Sequence, residues 1–189
     1  MKRFIYILML QGSVGLMSSS TQYYKVDKDK STLKVHGTST LHDWTIEAEN
    51  MTGEARFAII DDQLDISTLQ FNVPVTSLKS GKSAMDNNTY KALDSKAHPY
   101  IRFAFIEGDE GEFDDGSYEL KAKGDLTIAG VSKKVTLPVK AKVSTNAITF
   151  TGKTTFKMTD YKVEPPTALM GTIKTGDEIT VEFSITYLK

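Results

Sequence analysis

Apolar side chains recur at every second position along most of the chain from residue 23 onward. In the segment TLKVHGTST, Leu33, Val35 and Gly37 fall on one face, whereas Lys34 and His36 fall on the other. The same alternation returns in the segments WTIEA, LQFNVPV, IRFAF, YELKAKGDLTI, VTLPVKAKV, ITFTGKTTFKM and ITVEFSITY. Alternation of this kind is typical of strands that bury one face. It predicts an antiparallel all-β domain of eight or more strands.

The stretch from Ser77 to Pro99 breaks this alternation. Its larger apolar residues, Met85, Tyr90 and Leu93, fall near one stripe at helical spacing, and Pro99 ends the stretch. The sequence therefore predicts one short helix here. Segments rich in Gly and Asp separate several of the other strands and predict turns.

The length of the predicted strands bears on whether the sheet has free edges or closes into a barrel. An open sheet of long strands would expose unpaired edges, and a barrel removes them. Eight antiparallel strands also enclose an interior wide enough for one small ligand, as in lipocalins. A β-sandwich, whose two inner faces meet without a lumen, fits the same alternation. Periodicity leaves both architectures open.

The first twenty residues have a different character. Lys2 and Arg3 precede the apolar run FIYILML, and a run of small residues follows from Ser18 to Ser20. This layout is that of a secretory signal peptide, and its apolar run is shorter than the roughly 20 residues that a membrane-spanning helix needs. We expect a signal peptide over residues 1–20 and a single mature domain over residues 21–189. The mature protein is expected to be periplasmic or secreted and not to span the membrane.

Composition narrows the classes of function. The chain has no cysteine, which excludes disulfides and cysteine chemistry. Its net charge is −1 and its lysines are scattered, which argues against nucleic acid as a partner. An exported domain without disulfides must be stabilised by its own core, and a chain of this length can bury one.

The segment STLHDW places Ser39, His42, Asp43 and the only tryptophan, Trp44, within six residues. Neighbours on a strand point to opposite faces, so His42 and Asp43 could not act as the base and its orienting acid of a hydrolase triad. If the chain turns here, both residues can bond to backbone groups at a corner while Trp44 closes one end of a barrel. We favour this interpretation, and a polar contact to a ligand head group is the alternative.

Other candidate chemistry is weaker. His36, His42 and His98 lack the close pairing of a metal site, so no metal is expected. The acidic clusters at residues 61–65 and 109–115 lack the residue order of a calcium loop and are expected to be solvated turns. Two segments that resemble phosphate-binding loops fail, because Thr76 stands in place of a required glycine in one and Asp177 replaces the lysine in the other.

Three segments carry a more specific signal. GDLTIAGVSKKVTLPV, from Gly124 to Val139, contains the pattern G-x-L-T-x-x-G-V-x-K-x-V-x-L. MDNNTYKALDSKAHPYIRF contains His98, Pro99 and Phe103 in the pattern H-P-x-x-x-F, and TDYKVEPPTALMGTIKTGDEITVEF lies in the tail. In this order, the three resemble a characteristic segment, the helix with its following strand, and the closing strand pair of the YceI-like family of exported lipid-binding proteins. The segment HGTSTLHDWTIEAENMTGEARF differs from the Gly- and Phe-rich strand pair that the family commonly has there.

This resemblance implies an extended, antiparallel, eight-stranded lipocalin-like barrel with one short helix. Its lumen would hold a long apolar lipid, such as a polyisoprenoid, a quinone-like molecule or a fatty chain. Burial of apolar area would supply the affinity, and aromatic, branched and methionine side chains would line the site. The expected lining residues are Trp44, Phe57, Phe71, Val73, Met85, Tyr90, Leu93, Ile101, Phe103, Phe105, Leu126, Phe150, Phe156, Met158, Met170 and Phe183.

The expected function is therefore that of a non-enzymatic carrier without a cofactor. A filled-core structural domain that binds a protein partner is the main alternative. An enzyme that acts on a lipid is a third hypothesis, for which the sequence places no base and nucleophile together. A homodimer would be compatible with an exported barrel that has one apolar mouth.

Overall fold

The computed structural model describes residues 22–60, 63–109, 112–114, 116–168 and 170–189. The predicted signal peptide, residues 1–20, lies outside them. The strands are β1 (Gln22–Val26), β2 (Thr32–Ser39), β3 (Trp44–Ala48), β4 (Thr52–Ile60), β5 (Gln63–Pro74), β6 (Leu78–Lys79), β7 (Tyr100–Gly108), β8 (Glu112–Asp114), β9 (Ser117–Ile128), β10 (Val131–Ser144), β11 (Ala147–Lys157), β12 (Thr167–Ala168) and β13 (Ile173–Leu188). Helix α1 spans Ser83–Ala92, and short 3₁₀ helices span Lys28–Lys30, Val75–Ser77 and Met158–Tyr161.

The first three strands of the barrel wall are each interrupted. β1 and β2 follow one another along β13, since Lys25 pairs with Leu188 and Leu33 pairs with Phe183. β3 and β4 follow one another along β2 and β1 in the same way, and β5 and β6 do so along β4 and β3. Each pair acts as one strand with a break in the middle.

With these pairs counted as single strands, each wall strand lies beside the next along the chain. The order continues through β7, β9, β10, β11 and β13, and the pairing of β1 with β13 closes the sheet. The described residues thus form a closed antiparallel barrel of eight wall strands with one helix. This confirms the barrel prediction and excludes the alternative of a β-sandwich.

The alternation in the sequence marks the two sides of this wall. On β9, Tyr118, Leu120 and Ala122 are buried, whereas Glu119 and Lys121 between them are exposed. Adjacent side chains of a strand project to opposite sides of the sheet, so the alternating apolar residues share one face. Their burial shows that this face points into the barrel. Period-two patterning therefore determined which side chains reach the interior.

The two ends of the barrel differ. The lower end, beside β1 and the β10–β11 turn, is filled by side chains that include Tyr24, Ala141 and Ile148. The upper end carries the loop of residues 40–43, helix α1 and the segment of residues 158–168. A smaller apolar cluster around Tyr161 and Val163 packs there. No helix among the described residues is long and apolar enough to cross a membrane.

Candidate functional site

A cavity of about 520 Å³ occupies the barrel above its filled lower end, and we call it the lumen. Its floor includes Phe150 and Tyr187, whose rings meet edge to face at 5.9 Å between centroids. At the upper end it is lined by the exposed residues Leu41, His42 and Lys82, which mark its mouth. The volume lies within the roughly 300–1,000 Å³ typical of ligand sites.

Thirteen of the sixteen predicted lining residues lie on the wall of the lumen. They are Trp44, Phe71, Val73, Met85, Leu93, Ile101, Phe103, Phe105, Leu126, Phe150, Phe156, Met158 and Phe183. The structure thus brings together side chains that are up to 139 positions apart in the sequence, from Trp44 to Phe183. That these residues contact a ligand stays a prediction.

The other three predicted residues do not line the lumen. Phe57 is buried in the filled lower end, where its ring stacks on Tyr24 with centroids 3.9 Å apart. Tyr90 turns its hydroxyl to the backbone oxygens of Thr76 and Leu78, at 3.0 and 2.9 Å, and so fastens helix α1 to the wall. Met170 is fully exposed with a positive φ of 54°.

Sequence reasoning missed several aliphatic lining residues. Ile179, Val181 and Ile185 on β13 and Leu33 and Val35 on β2 all line the lumen. Their positions on the apolar faces of the period-two pattern carried the signal, but the prediction took only some of the branched residues that share those faces. Helix α1 adds Ala84 and Ala92, which are spaced by two helical turns on the face toward the lumen.

Charge is sparse around the lumen. Among its described lining residues, the charged ones are Lys82 and Arg102, and none is Asp or Glu. The guanidinium of Arg102 lies 5.5 Å from the centre of the Tyr100 ring, on the outer side of the wall. Lys82, which immediately precedes α1, is therefore the ammonium group at the mouth.

The segment STLHDW forms a corner between β2 and β3. The Ser39 hydroxyl donates to the His42 carbonyl at 2.7 Å and accepts from the backbone amides of Leu41 and His42 at 3.2 Å each. The His42 Nδ1 donates to the Asp43 carbonyl at 2.8 Å. His42 thus bonds to backbone, as expected for a corner, whereas Asp43 contributes its carbonyl and Ser39 makes the other backbone contacts. Ser39 and His42 are not aligned with Asp43 as a triad.

Trp44 is held at the upper part of the lumen by this corner. Its indole nitrogen donates to the Thr38 carbonyl at 2.9 Å, and its ring covers Gly37 on the neighbouring strand. The loop before it is fixed in turn, because the Thr40 amide donates to the Lys174 carbonyl at 3.0 Å. The only tryptophan of the chain therefore reports on the lumen.

The three histidines lie apart from one another in different environments. His36 contacts the Thr45 hydroxyl at 3.0 Å and lies 3.9 Å from Glu182 on the outer surface. His98 packs its ring against Gly130. Within the described part of the chain, no three His, Cys, Asp or Glu side chains are grouped as metal ligands would be.

Two tyrosines are the buried titratable groups at the lumen. Burial raises the pKa of Tyr187, and it also raises the pKa of Tyr161, with a smaller contribution from the nearby Asp160 carboxylate. The Tyr187 hydroxyl donates to the Gln70 carbonyl at 3.2 Å, across the interior of the barrel. Both phenols are neutral at ordinary pH, so they add no charge to the lumen.

The sequence matches the YceI-like domain family over residues 24–187. Among solved structures, BcnA of Burkholderia cenocepacia is similar, with 19% identity and a TM-score of 0.69 over 85% of this chain and 98% of that one. A polyisoprenoid binding domain from Saccharophagus degradans, implicated in plant cell wall breakdown, has 14% identity and a TM-score of 0.69, over 89% and 98%. The YceI protein of Campylobacter jejuni has 19% identity and a TM-score of 0.57, over 72% and 81%.

No curated protein matches the chain in sequence. At these identities the structural similarities establish the fold alone.

Proposed function

Because the chain belongs to the YceI-like domain family, we propose that it is a non-enzymatic carrier that holds one long apolar lipid chain in the lumen. The ligand class is that of polyisoprenoids, quinone-like molecules and fatty chains. The related domain from Saccharophagus degradans is described as polyisoprenoid binding. For this chain, the lumen itself is the observation that carries the proposal.

The lumen suits a ligand with few polar groups. Its wall is built from aliphatic and aromatic side chains contributed by β2, β3, β5, β7, β9, β10, β11 and β13. An apolar chain gains about 0.8 kcal/mol for each methylene removed from water, offset by the cost of ordering it. Affinity should therefore grow with chain length until the lumen is full.

The mouth determines which end of the ligand enters first. Lys82, His42 and Asn88 are exposed lining residues there, while the deeper wall is apolar. A lipid with one polar end would leave that end at the mouth, because burying a polar group without a partner is costly. The apolar end would then point toward Phe150 and Tyr187.

The alternative of a filled-core interaction domain requires an interior without room for a ligand. The lumen of about 520 Å³ weighs against it. The carrier proposal is therefore the better supported of the two.

We also propose that the carrier works outside the cytoplasm. The support is the sequence pattern of residues 1–20, with Lys2 and Arg3 before an apolar run and a small-residue run after it. Cell fractionation and N-terminal sequencing of the mature protein test this, and an intact Met1 in the cytoplasmic fraction would contradict it.

Trp44 provides a direct test of lipid binding. The protein, purified without detergent and stripped of lipid by organic extraction, is titrated with fatty acids that carry bromine, a quencher of indole fluorescence, near the middle of the chain. We expect saturable quenching at one chain per protein and competition by unbrominated fatty acids and by polyprenols. Native mass spectrometry before stripping should detect a co-purified lipid.

A pair of adjacent substitutions on β13 is the matched control. Val181 lines the lumen, whereas Glu182 lies next to it on the outer face and is exposed. Val181→Phe should fill part of the lumen and weaken binding, and Glu182→Phe should leave binding unchanged. Absence of quenching by every chain, together with a lipid-free mass, would refute the carrier function.

A further inference from the structure

A second cavity, of about 470 Å³, lies at the lower end of the barrel between β5 and β7, and we call it the crevice. It shares two lining residues with the lumen, Ile66 and Phe105. These two side chains therefore form the partition between the lumen and the crevice. The partition lies away from the mouth, near the end where a bound chain would finish.

The barrel wall is open at this seam. β5 and β7 pair from Pro74 and Tyr100 down to Gln70 and Ala104. Below that, residues 63–69 of β5 pair with β4, apart from Ser67, and residues 105–108 of β7 pair with β9, apart from Ile106. These described residues of β5 and β7 do not pair with each other. The side chains of Ile66 and Phe105 thus close a place where no backbone ladder does.

Two β-bulges account for the separation of the strands. In β5, Ser67 is the extra residue, because Arg56 pairs with Thr68 while Phe57 pairs with Ile66. In β7, Ile106 is the extra residue between the partners of Gly124 and Lys123. A bulge bends its strand and increases its twist. Since the bulges lie at the same level on both sides of the seam, the strands diverge there.

The crevice has an apolar floor and a polar rim. Leu64 and Leu120 are buried in its floor beside the partition. The Phe105 ring lies against Gly108, where a Cβ would stand 3.4 Å from two ring carbons and 3.5 Å from Leu120 Cδ1. Asp65 and Glu107 are exposed at the rim. The floor continues the apolar surface of the lumen beyond Phe105.

We propose that Ile66 and Phe105 determine the length of lipid chain that the protein holds, and that the crevice receives the end of a longer chain when this partition yields. The ligand is a long linear or polyprenyl chain that enters by its apolar end. This inference rests on the proposed carrier function, and it extends the proposed binding site from the lumen into the crevice.

The test is a length series. Saturated fatty acids from 10 to about 24 carbons compete with a mid-chain brominated fatty acid for the lipid-stripped protein, with Trp44 fluorescence as the readout. In the wild type, each added methylene should tighten Kd by about fourfold until the chain reaches the partition, after which Kd should level off. Phe105→Ala should move this break to longer chains by several carbons. Phe105→Leu should move the break less. It replaces Phe105→Ala in the test if circular dichroism shows that the alanine variant folds poorly.

Phe183→Ala is the matched control. It removes the same ring from the lumen wall at a place that does not border the crevice. We expect it to weaken binding at all lengths without moving the break as far as Phe105→Ala does.

A reporter at the rim locates the chain end. Ile106 is 49% exposed and lines the crevice, so Ile106→Trp in a Trp44→Phe background places the only indole there. Long fatty acids brominated at the terminal carbon should quench it when Phe105→Ala is added. Two results would refute the role of the partition while leaving the carrier function intact, provided that the wild-type protein binds chains. One is an equal shift of the break by Phe105→Ala and Phe183→Ala, and the other is the absence of quenching of this indole by terminal bromine. If no chain binds wild-type protein, both fall.

Discussion

The indole ring of Trp44 lies on Gly37, its directly paired neighbour on β2, so closely that a Cβ on residue 37 would overlap the ring. The indole nitrogen also donates to the Thr38 carbonyl at 2.9 Å. Gly37 therefore makes the space that lets the largest side chain of the lumen wall lie flat against the sheet.

Gly37→Ala should destabilise the protein by about 1–3 kcal/mol, as overpacking in a filled site does. It should also shift the emission of Trp44, because the ring must move into the lumen or the mouth. Urea unfolding followed by circular dichroism gives the free energy of unfolding. In a Trp44→Leu background the same glycine substitution should cost much less. Equal costs in both backgrounds would show that the ring is not the obstacle.

Asp86 connects helix α1 to the preceding loop. The hydroxyl and the backbone amide of Ser80 donate to Asp86 Oδ1 at 2.6 and 2.8 Å. The hydrogen bond from the Ser80 hydroxyl, followed by that from its amide, holds the pKa of Asp86 below its usual value despite burial. Since Asp86 is buried, Asp86→Asn should lower the free energy of unfolding at pH 7 by about 1–3 kcal/mol.

The pH dependence of stability tests the same contact. The unfolded carboxyl, with a pKa of about 3.9, takes up a proton before the folded one does. The contribution of Asp86 is therefore present above about pH 4 and is lost as the pH falls through the folded pKa. Urea unfolding between pH 7 and pH 3 should show the wild type converging toward Asp86→Asn. Asp94→Asn, at an exposed position just beyond α1, should run parallel to the wild type instead.

The β9–β10 hairpin turns at Ala129 and Gly130, whose φ angles are 47° and 77°. Two positive angles in a two-residue loop identify a type I′ turn, which favours Asn-Gly. Ala129→Asn should therefore stabilise the protein and raise Tm by about 2–4 °C if it gains 1 kcal/mol. Calorimetry measures this shift, and an unchanged or lower Tm would argue against the turn assignment.

Gly130→Ala is the opposite change in the same turn. It should lower Tm, because alanine is strained at this φ and its Cβ would lie 2.5 Å from His98 Cε1.

Tyr90 should matter for ligand exchange although it does not line the lumen. Its hydroxyl bonds to backbone oxygens of residues 76 and 78 and accepts from Lys79 Nζ at 2.8 Å, a contact that raises the pKa of Lys79. Tyr90→Phe removes these bonds and should cost about 0.5–1.5 kcal/mol. With α1 held less firmly over the lumen, a bound brominated fatty acid should dissociate faster in stopped-flow measurements of Trp44. Tyr100→Phe, at an exposed tyrosine, should change neither quantity, and an equal effect there would contradict the role of Tyr90.

The sequence by itself determined which side of the wall each strand residue occupies. Alternation specifies the face because adjacent side chains project to opposite sides of a strand, and this is why Phe71, Phe103 and Phe183 were correctly placed toward the interior. The break in that alternation located the helix, because helical residues follow a period of 3.6 and not of two.

Only the tertiary structure decided the height of each inward residue along the barrel. Phe57 and Phe71 both face inward, but Phe57 lies in the filled lower end and Phe71 lines the lumen. Height depends on the register between strands, on the bulges at Ser67 and Ile106, and on the closure of β1 against β13. These are pairings between distant parts of the chain, and a local period of two carries no information about them.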